Sequence, residues 1–515
     1  MLAAIDMRFP RSSGILLHPT SLPGPFGIGD LGPEARRFAD FLAGAGQTLW
    51  QVLPLGPTGY GDSPYQCFSA LAGNPLLISL ELLSEDGLID AGFSEAGLDE
   101  FPEPEVDFAR VIPWKLARLE GAARKFRKCA GPALRDQFAA FCREQAAWLD
   151  DFALFMALKL RDQTKIWTSW EPGIRSRDAA AMARMRNELA ESIETQQFLQ
   201  FVFFSQWNSL RRYCRERGIR IMGDLPIYVA HDSADVWANP HYFQLDAGGN
   251  PVVVAGVPPD YFSSTGQLWG NPIYAWDVLR ADGYRWWLER FKSVLQMVDL
   301  IRLDHFRGFE AYWEVPTPAR TAERGRWVKA PGADLFRAVQ EGLGELPLIA
   351  ENLGVITPEV EGIRAEFGFP GMSILQFAFG NDPQGPSFRP HNYPRELVAY
   401  TGTHDCDTTV GWWTSQGRGE DTRTPEDLRK ERDNARRYLN SDGREIHWVF
   451  IRALLASVAD TVLIPLQDVL GFGSEARMNQ PATLGGNWRW RYTPEMLTPT
   501  IAQRLRELAR LYDRC

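Results

Sequence analysis

Short apolar runs of strand character recur along this chain, separated by stretches of helical period, and several of them end in charge. That alternation restricts the fold more than any other feature. Antiparallel neighbours can be joined by tight hairpins, whereas strands divided by helices pair in parallel through crossovers. Eight such runs stand out, at residues 13–22, 48–55, 219–229, 298–310, 346–354, 372–377, 397–401 and 461–466. Eight strands with intervening helices predict an α/β fold, a (β/α)8 TIM barrel. The 515 residues alone would suggest about three domains, but barrels with insertions pass about 400 residues as one unit. A single catalytic barrel over 1–515 is therefore expected, with two insertions. Residues 74–218 follow the second strand and are mainly helical. Residues 230–282 follow the third and include a long aperiodic loop, 253–274, with the character of a lid.

Composition excludes several classes. Hydrophobic residues at 45% and charged residues at 23% describe an ordinary soluble globular protein. A net charge of −10 without a Lys/Arg-rich run argues against nucleic acid or anionic membranes as partners. No apolar run is long enough to span a bilayer, and the first residues carry Asp6, Arg8 and Arg11 rather than a signal-type apolar core. Six cysteines without CxxC spacing read as free thiols of a cytoplasmic protein. Seven dispersed histidines with no HExxH leave no ligand pattern, so neither metal nor cofactor is expected. The 18 tryptophans either fill a large core or provide flat apolar platforms for a ligand such as a sugar.

The fourth run, Val-Asp-Leu-Ile-Arg-Leu-Asp-His-Phe-Arg-Gly-Phe-Glu from 298, places Arg302 and Asp304 on one strand face and Ile301 and Leu303 on the other. Burying such charges is costly unless they pair or act on a ligand. Barrel enzymes carry their sites at the C-terminal ends of the strands. Reading those ends gives Asp224 after the third, Arg302 and Asp304 on the fourth, Glu351 on the fifth, and His404 and Asp405 after the seventh. Carboxylates converging from three strands repel, so one should hold its proton near neutral pH. Paired acids of unequal strength are what glycoside chemistry uses. Each residue also has a structural alternative: Asp224 or Asp405 as a helix N-cap, Glu351 as a salt-bridge partner, His404 as a core histidine. No P-loop, GxGxxG or Ser-His-Asp pattern competes with the glycoside reading. The residues alone leave open whether water or a sugar hydroxyl ends the reaction, and whether the chain is a sugar-binding scaffold without activity.

Gly-Asp-Leu-Pro at Asp224, Ile-Arg-Leu-Asp-His-Phe-Arg-Gly at Asp304, Ile-Ala-Glu-Asn-Leu-Gly at Glu351 and Thr-Gly-Thr-His-Asp at Asp405 resemble the four short motifs of the α-amylase clan. His-Pro-Thr-Ser-Leu-Pro-Gly-Pro from His18, Gly-Pro-Thr-Gly-Tyr-Gly-Asp-Ser-Pro-Tyr-Gln from Gly56, Gly-Val-Pro-Pro-Asp-Tyr-Phe, Gly-Gln-Leu-Trp-Gly-Asn-Pro and Gly-Ser-Glu-Ala-Arg-Met-Asn from Gly473 are more narrowly similar to the 4-α-glucanotransferases, also called amylomaltases or disproportionating enzymes. The resemblance runs from about Ser13 to the C-terminus. It implies a retaining transfer of α-1,4-glucan segments to glucose, maltose or longer acceptors, with Asp304 as nucleophile and Glu351 as acid and base. Asp405, helped by His404, would hold ring hydroxyls of the distorted sugar, Arg302 would orient Asp304, and Asp224 would bind that sugar too. Tyr65 and Trp269 would stack on the glucan, with Asp62, Gln267 and Asn479 as hydrogen-bonding partners and Tyr60 at a second glucan contact. Cys406 stands where many members carry Asn.

Overall fold

The computed structural model describes residues 9–90, 101–163, 165–259, 263, 265–417, 423–481, 483 and 485–515. The strands among them are, in chain order, β1 (Ser12–Leu16), β2 (Leu49–Gln51), β3 (Arg220–Leu225), β4 (Val253–Val257), β5 (Gln267–Pro272) and β6 (Leu300–Leu303). They continue with β7 (Ala311–Pro316), β8 (Arg326–Lys329), β9 (Leu348–Ala350), β10 (Gly371–Ile374), β11 (Leu397–Tyr400) and β12 (Thr461–Pro465). Eight of them pair in parallel in the order β10-β11-β12-β1-β2-β3-β6-β9. Ala350 N–H donates to the Pro370 carbonyl at 2.9 Å, joining the two outermost strands and closing the (β/α)8 barrel. Each of the eight expected runs contributes one barrel strand, shorter than the apolar run around it.

The strand period sorts side chains between two cores. Leu49, Met222, Leu300, Ile349, Met372, Ile374, Val398, Tyr400 and Leu463 fill the barrel interior. Ile301 and Leu303 point outward into the main core shared with the helices. Register then carries polar residues to the mouth. Asp224 lies beside Arg302, and Leu303 beside Ala350, so Asp304 and Glu351 follow at one level on neighbouring strands. Glu351 N–H donates to the Leu303 carbonyl at 3.0 Å, extending the ladder one step past the paired rows.

Between β2 and β3 the chain forms a series of helices, including Phe108–Cys129, Ala146–Arg161 and the long Ala190–Glu216. Ala146–Arg161 is buried along Leu149, Phe152, Leu154, Phe155 and Leu158, as its nearly all-apolar sequence requires. Gly218, at φ 72°, ends the run into β3 in the left-handed region that glycine enters without steric cost.

One expectation is corrected. The stretch 253–274 is not an aperiodic loop: β4 and β5 pair there antiparallel, and β4 pairs with β7, which pairs with β8. This four-stranded sheet unites residues following β3 with residues following β6. Gly256, Gly270 and Pro272 within the strands masked their period. Residues 260–262 and 264 of the Gly-Val-Pro-Pro-Asp-Tyr-Phe motif and of the expected lid lie outside the described residues.

Arg514 ties the chain's end to the opposite, N-terminal side of the barrel. Fully buried, it donates to the carbonyls of Leu455 (2.7 Å), Ala459 (2.9 Å), Ser457 (3.0 Å), Ser12 (3.2 Å) and Asp460 (3.2 Å).

Candidate active site

The strand ends assemble one polar network. Arg302, buried on β6, reaches Asp224 Oδ2 at 2.6 Å and Asp304 Oδ1 at 3.0 Å. Burial alone would weaken a guanidinium, but the two carboxylates hold its proton well above the usual range. Tyr65 O–H donates to Asp224 Oδ2 at 2.6 Å. The Asp224 side chain has 0% exposure and supports Arg302 and Tyr65 from beneath.

Glu351 stands one residue beyond β9. Its Oε2 accepts from His305 N–H at 2.7 Å, its Oε1 from Leu353 N–H at 3.1 Å. Burial pushes its carboxyl up to about 8; Arg302 opposes this and the neighbouring Asp304 charge reinforces it. The acid is therefore protonated at neutral pH. His305 adopts a left-handed backbone at φ 49°, which aims its N–H back at Glu351, and its ring meets Trp269 edge-on with centroids 4.7 Å apart. Gln267 Oε1 accepts from Trp269 Nε1 at 3.2 Å, so both β5 residues flank the acids through His305.

Asp405 completes the mouth. His404 Nε2 lies 3.3 Å from its Oδ2, and Asn479 Nδ2 donates to its Oδ1 at 2.6 Å. Partial desolvation in the cleft would raise this carboxyl, yet His404 and Asn479 outweigh it and leave Asp405 well below the ordinary carboxylate range. The His404 ring stacks under Tyr65 at 5.1 Å and 16°. Asp405 keeps 45% of its side chain exposed, in contrast to 4% for His404, so it is the carboxylate that faces outward.

Tyr65, Asp224, Arg302, Asp304, Glu351, His404, Asp405 and Asn479 thus meet at one mouth, with Trp269 and Gln267 beside it. Tyr60 and Asp62 lie on the turn Tyr60–Asp62 and share no hydrogen bond or ring contact with that cluster among the described residues; Tyr60 is 70% exposed. Several contributors escaped the sequence reading. His305 acts through a backbone N–H. Arg477 donates to the Asp405 carbonyl and the Asn479 carbonyl, both at 2.8 Å. Trp488 lies 5.9 Å from the His404 ring and 6.0 Å from Tyr65. Cys406 packs its thiol against Thr403 Oγ1 at 3.6 Å, and burial pushes it up to about 11, leaving a neutral thiol behind Asp405. Among the described residues, no group of three or more His, Cys, Asp or Glu is arranged to hold a metal ion.

A family profile described as 4-alpha-glucanotransferase matches residues 17–498. The chain belongs to the 4-alpha-glucanotransferase family. It is 50% identical over 519 residues to the 4-alpha-glucanotransferase of Thermus thermophilus, covering 99% of this chain and 100% of that one. It is 50% identical over 508 residues to the Synechocystis enzyme of the same name, covering 98% of each. Among solved structures, the amylomaltase of Streptococcus agalactiae in complex with acarbose superposes with a TM-score of 0.92 at 40% identity, covering 98% of this chain and 99% of that one. No helix among the described residues is long and apolar enough to cross a membrane.

Proposed function

We propose that this enzyme cuts an α-1,4-glucan and passes the severed segment to the 4-hydroxyl of glucose or another glucan, with retention at the anomeric carbon. The observation that carries the reading is the pairing of a protonated Glu351 with an Arg302-bound Asp304 at one level of neighbouring strands. Adjacent strands lie about 4.8 Å apart, which suits a nucleophile and an acid serving one glycosidic bond.

In the first half-reaction an Asp304 oxygen attacks the anomeric carbon while the bond to the glycosidic oxygen breaks. Glu351 gives its proton to that oxygen, and the shortened glucan departs with a free 4-hydroxyl. Bond formation consumes the Asp304 charge. That charge is one of the causes holding the Glu351 carboxyl up, so its loss makes the newly ionised Glu351 stable. In the second half an acceptor hydroxyl attacks the anomeric carbon, Glu351 takes its proton, and Asp304 leaves as a carboxylate. Asp405, ionised and outward-facing, accepts hydrogen bonds from ring hydroxyls of the reacting sugar, and Tyr65 and Trp269 offer apolar faces to the glucan.

Transfer rather than hydrolysis is supported by the glucanotransferase relatives, which match nearly end to end. Incubation with maltotriose separates the two outcomes. Transfer gives glucose and oligomers longer than the substrate; maltose and glucose alone would mean that water ends the reaction.

A further inference from the structure

Asp468 lies just past β12, on the helix Leu466–Leu470, and its side chain takes no part in the chemistry above. It is 1% exposed and has no salt bridge among the described residues. Instead three donors converge on its carboxylate. Thr409 N–H donates to Oδ1 at 2.6 Å, Thr409 Oγ1 to Oδ2 at 2.8 Å, and Thr401 Oγ1 to the same Oδ2. Thr401 is the first residue after β11, and Thr409 opens the helix Thr409–Thr414. The carboxylate therefore grips both ends of the segment 401–409, whose middle carries His404 and Asp405.

The same segment is held on its other side. Arg477 donates to the Asp405 carbonyl at 2.8 Å and Asn479 N–H to the His404 carbonyl at 3.1 Å. Gln376 Nε2 donates to the Asp407 carbonyl at 2.9 Å. A buried carboxylate with no cation beside it is expensive, and the three donors offset that cost only with the segment in this shape. Burial pushes the Asp468 carboxyl up while the Thr401 and Thr409 bonds pull it back.

We infer that Asp468 is a positioning residue for Asp405: by clamping Thr401 and Thr409 to the end of β12, it fixes the height and angle at which Asp405 meets the sugar. The inference rests on the reading of Asp405 as the acid that holds the reacting ring. It acts through placement, so its loss is felt where the ring is distorted and less in ground-state binding.

The test is kinetic, on the whole enzyme, with maltotriose as substrate and acarbose as a competing ligand. Asn at 468 supplies one acceptor oxygen where three donors converge. Asp468→Asn is expected to lower kcat by about 100-fold, the scale of a misplacement near 1 Å, and to weaken acarbose inhibition. KM for maltotriose should stay within about threefold. In combination with Asp405→Asn the second substitution should cost nothing more, because its effect passes through the residue already removed. Full kcat in folded Asp468→Asn, or costs that simply add in the double variant, would overturn the inference. Should Asp468→Asn fail to fold, Thr409 gives a second route: Thr409→Ser keeps both donors and should retain kcat, whereas Thr409→Val loses one and should fall with KM little changed. Equal rates for those two would also overturn it. Asp405→Asn alone retaining full turnover would instead refute the site reading, leaving the clamp nothing to position.

Discussion

Glu351 and Asp405 are chemically similar side chains placed at opposite ends of the acidity scale by their neighbours. Glu351 is buried with two backbone donors and beside the Asp304 charge, and is pushed up to about 8. Asp405 has His404 and Asn479 on its two oxygens and is held far below the usual range. The consequence for pH follows directly. Glu351 must carry its proton to release the leaving group, so kcat/KM falls as pH rises through about 8. A pH–rate profile checks this; a limb lying instead near pH 4.5, where Glu351 starts from, would show an unperturbed carboxyl. Which residues do this work was partly readable from sequence. Asp224, Arg302, Asp304, Glu351, His404 and Asp405 stand at strand ends, and strand ends predict location. Asn479 and Gln267 came only from family resemblance. His305, Leu353 and Arg477 contribute through, or act upon, backbone N–H and C=O groups, and main-chain groups leave no mark on residue type.

At the level of elements, the barrel strands were legible because each is an apolar run bounded by helix, while their ends were not. Residues 48–55 look like one strand, yet only Leu49–Gln51 pair on both sides, since the chain must then turn outward to build the mouth. The small sheet was illegible for two reasons. β4 and β5 are broken by glycine and proline, and β8 has an exposed Arg-Trp-Val-Lys sequence with no apolar face. Its pairing with β7 is visible only once β7 is anchored on β4. The barrel itself is intolerant of bulk where strands approach closest. A Cβ added at Gly14 of β1 would lie 2.3 Å from the Leu49 carbonyl oxygen of β2. Backbone cannot yield as a side-chain tip can, so Gly14→Ala should destabilise by about 1–3 kcal/mol, seen as a lower denaturation midpoint. An unchanged midpoint would mean that the β1–β2 spacing is wrong.

For the molecule as a whole, the mouth carries the chemistry and the opposite end carries the closure. Arg514, the penultimate residue, gathers carbonyls from Ser12 on β1 and from the segment leading into β12. Removing it strands several buried acceptors at once. Arg514→Ala should cost about 3–5 kcal/mol of stability while leaving KM for maltotriose unchanged, because the site lies at the other end of the strands. Thermal unfolding and steady-state kinetics together check this; a rise in KM without loss of stability would contradict it.

The account turns on Asp304 bonding covalently to the sugar while Glu351 serves as acid and then base. In Glu351→Gln, an α-maltosyl fluoride still glycosylates the enzyme, because fluoride leaves without a proton, and the missing base slows release. Mass spectrometry of the quenched, digested protein is predicted to find the glycosyl group on the peptide containing Asp304. Its attachment to another carboxylate, or no adduct despite steady fluoride release and slow turnover, would contradict the mechanism.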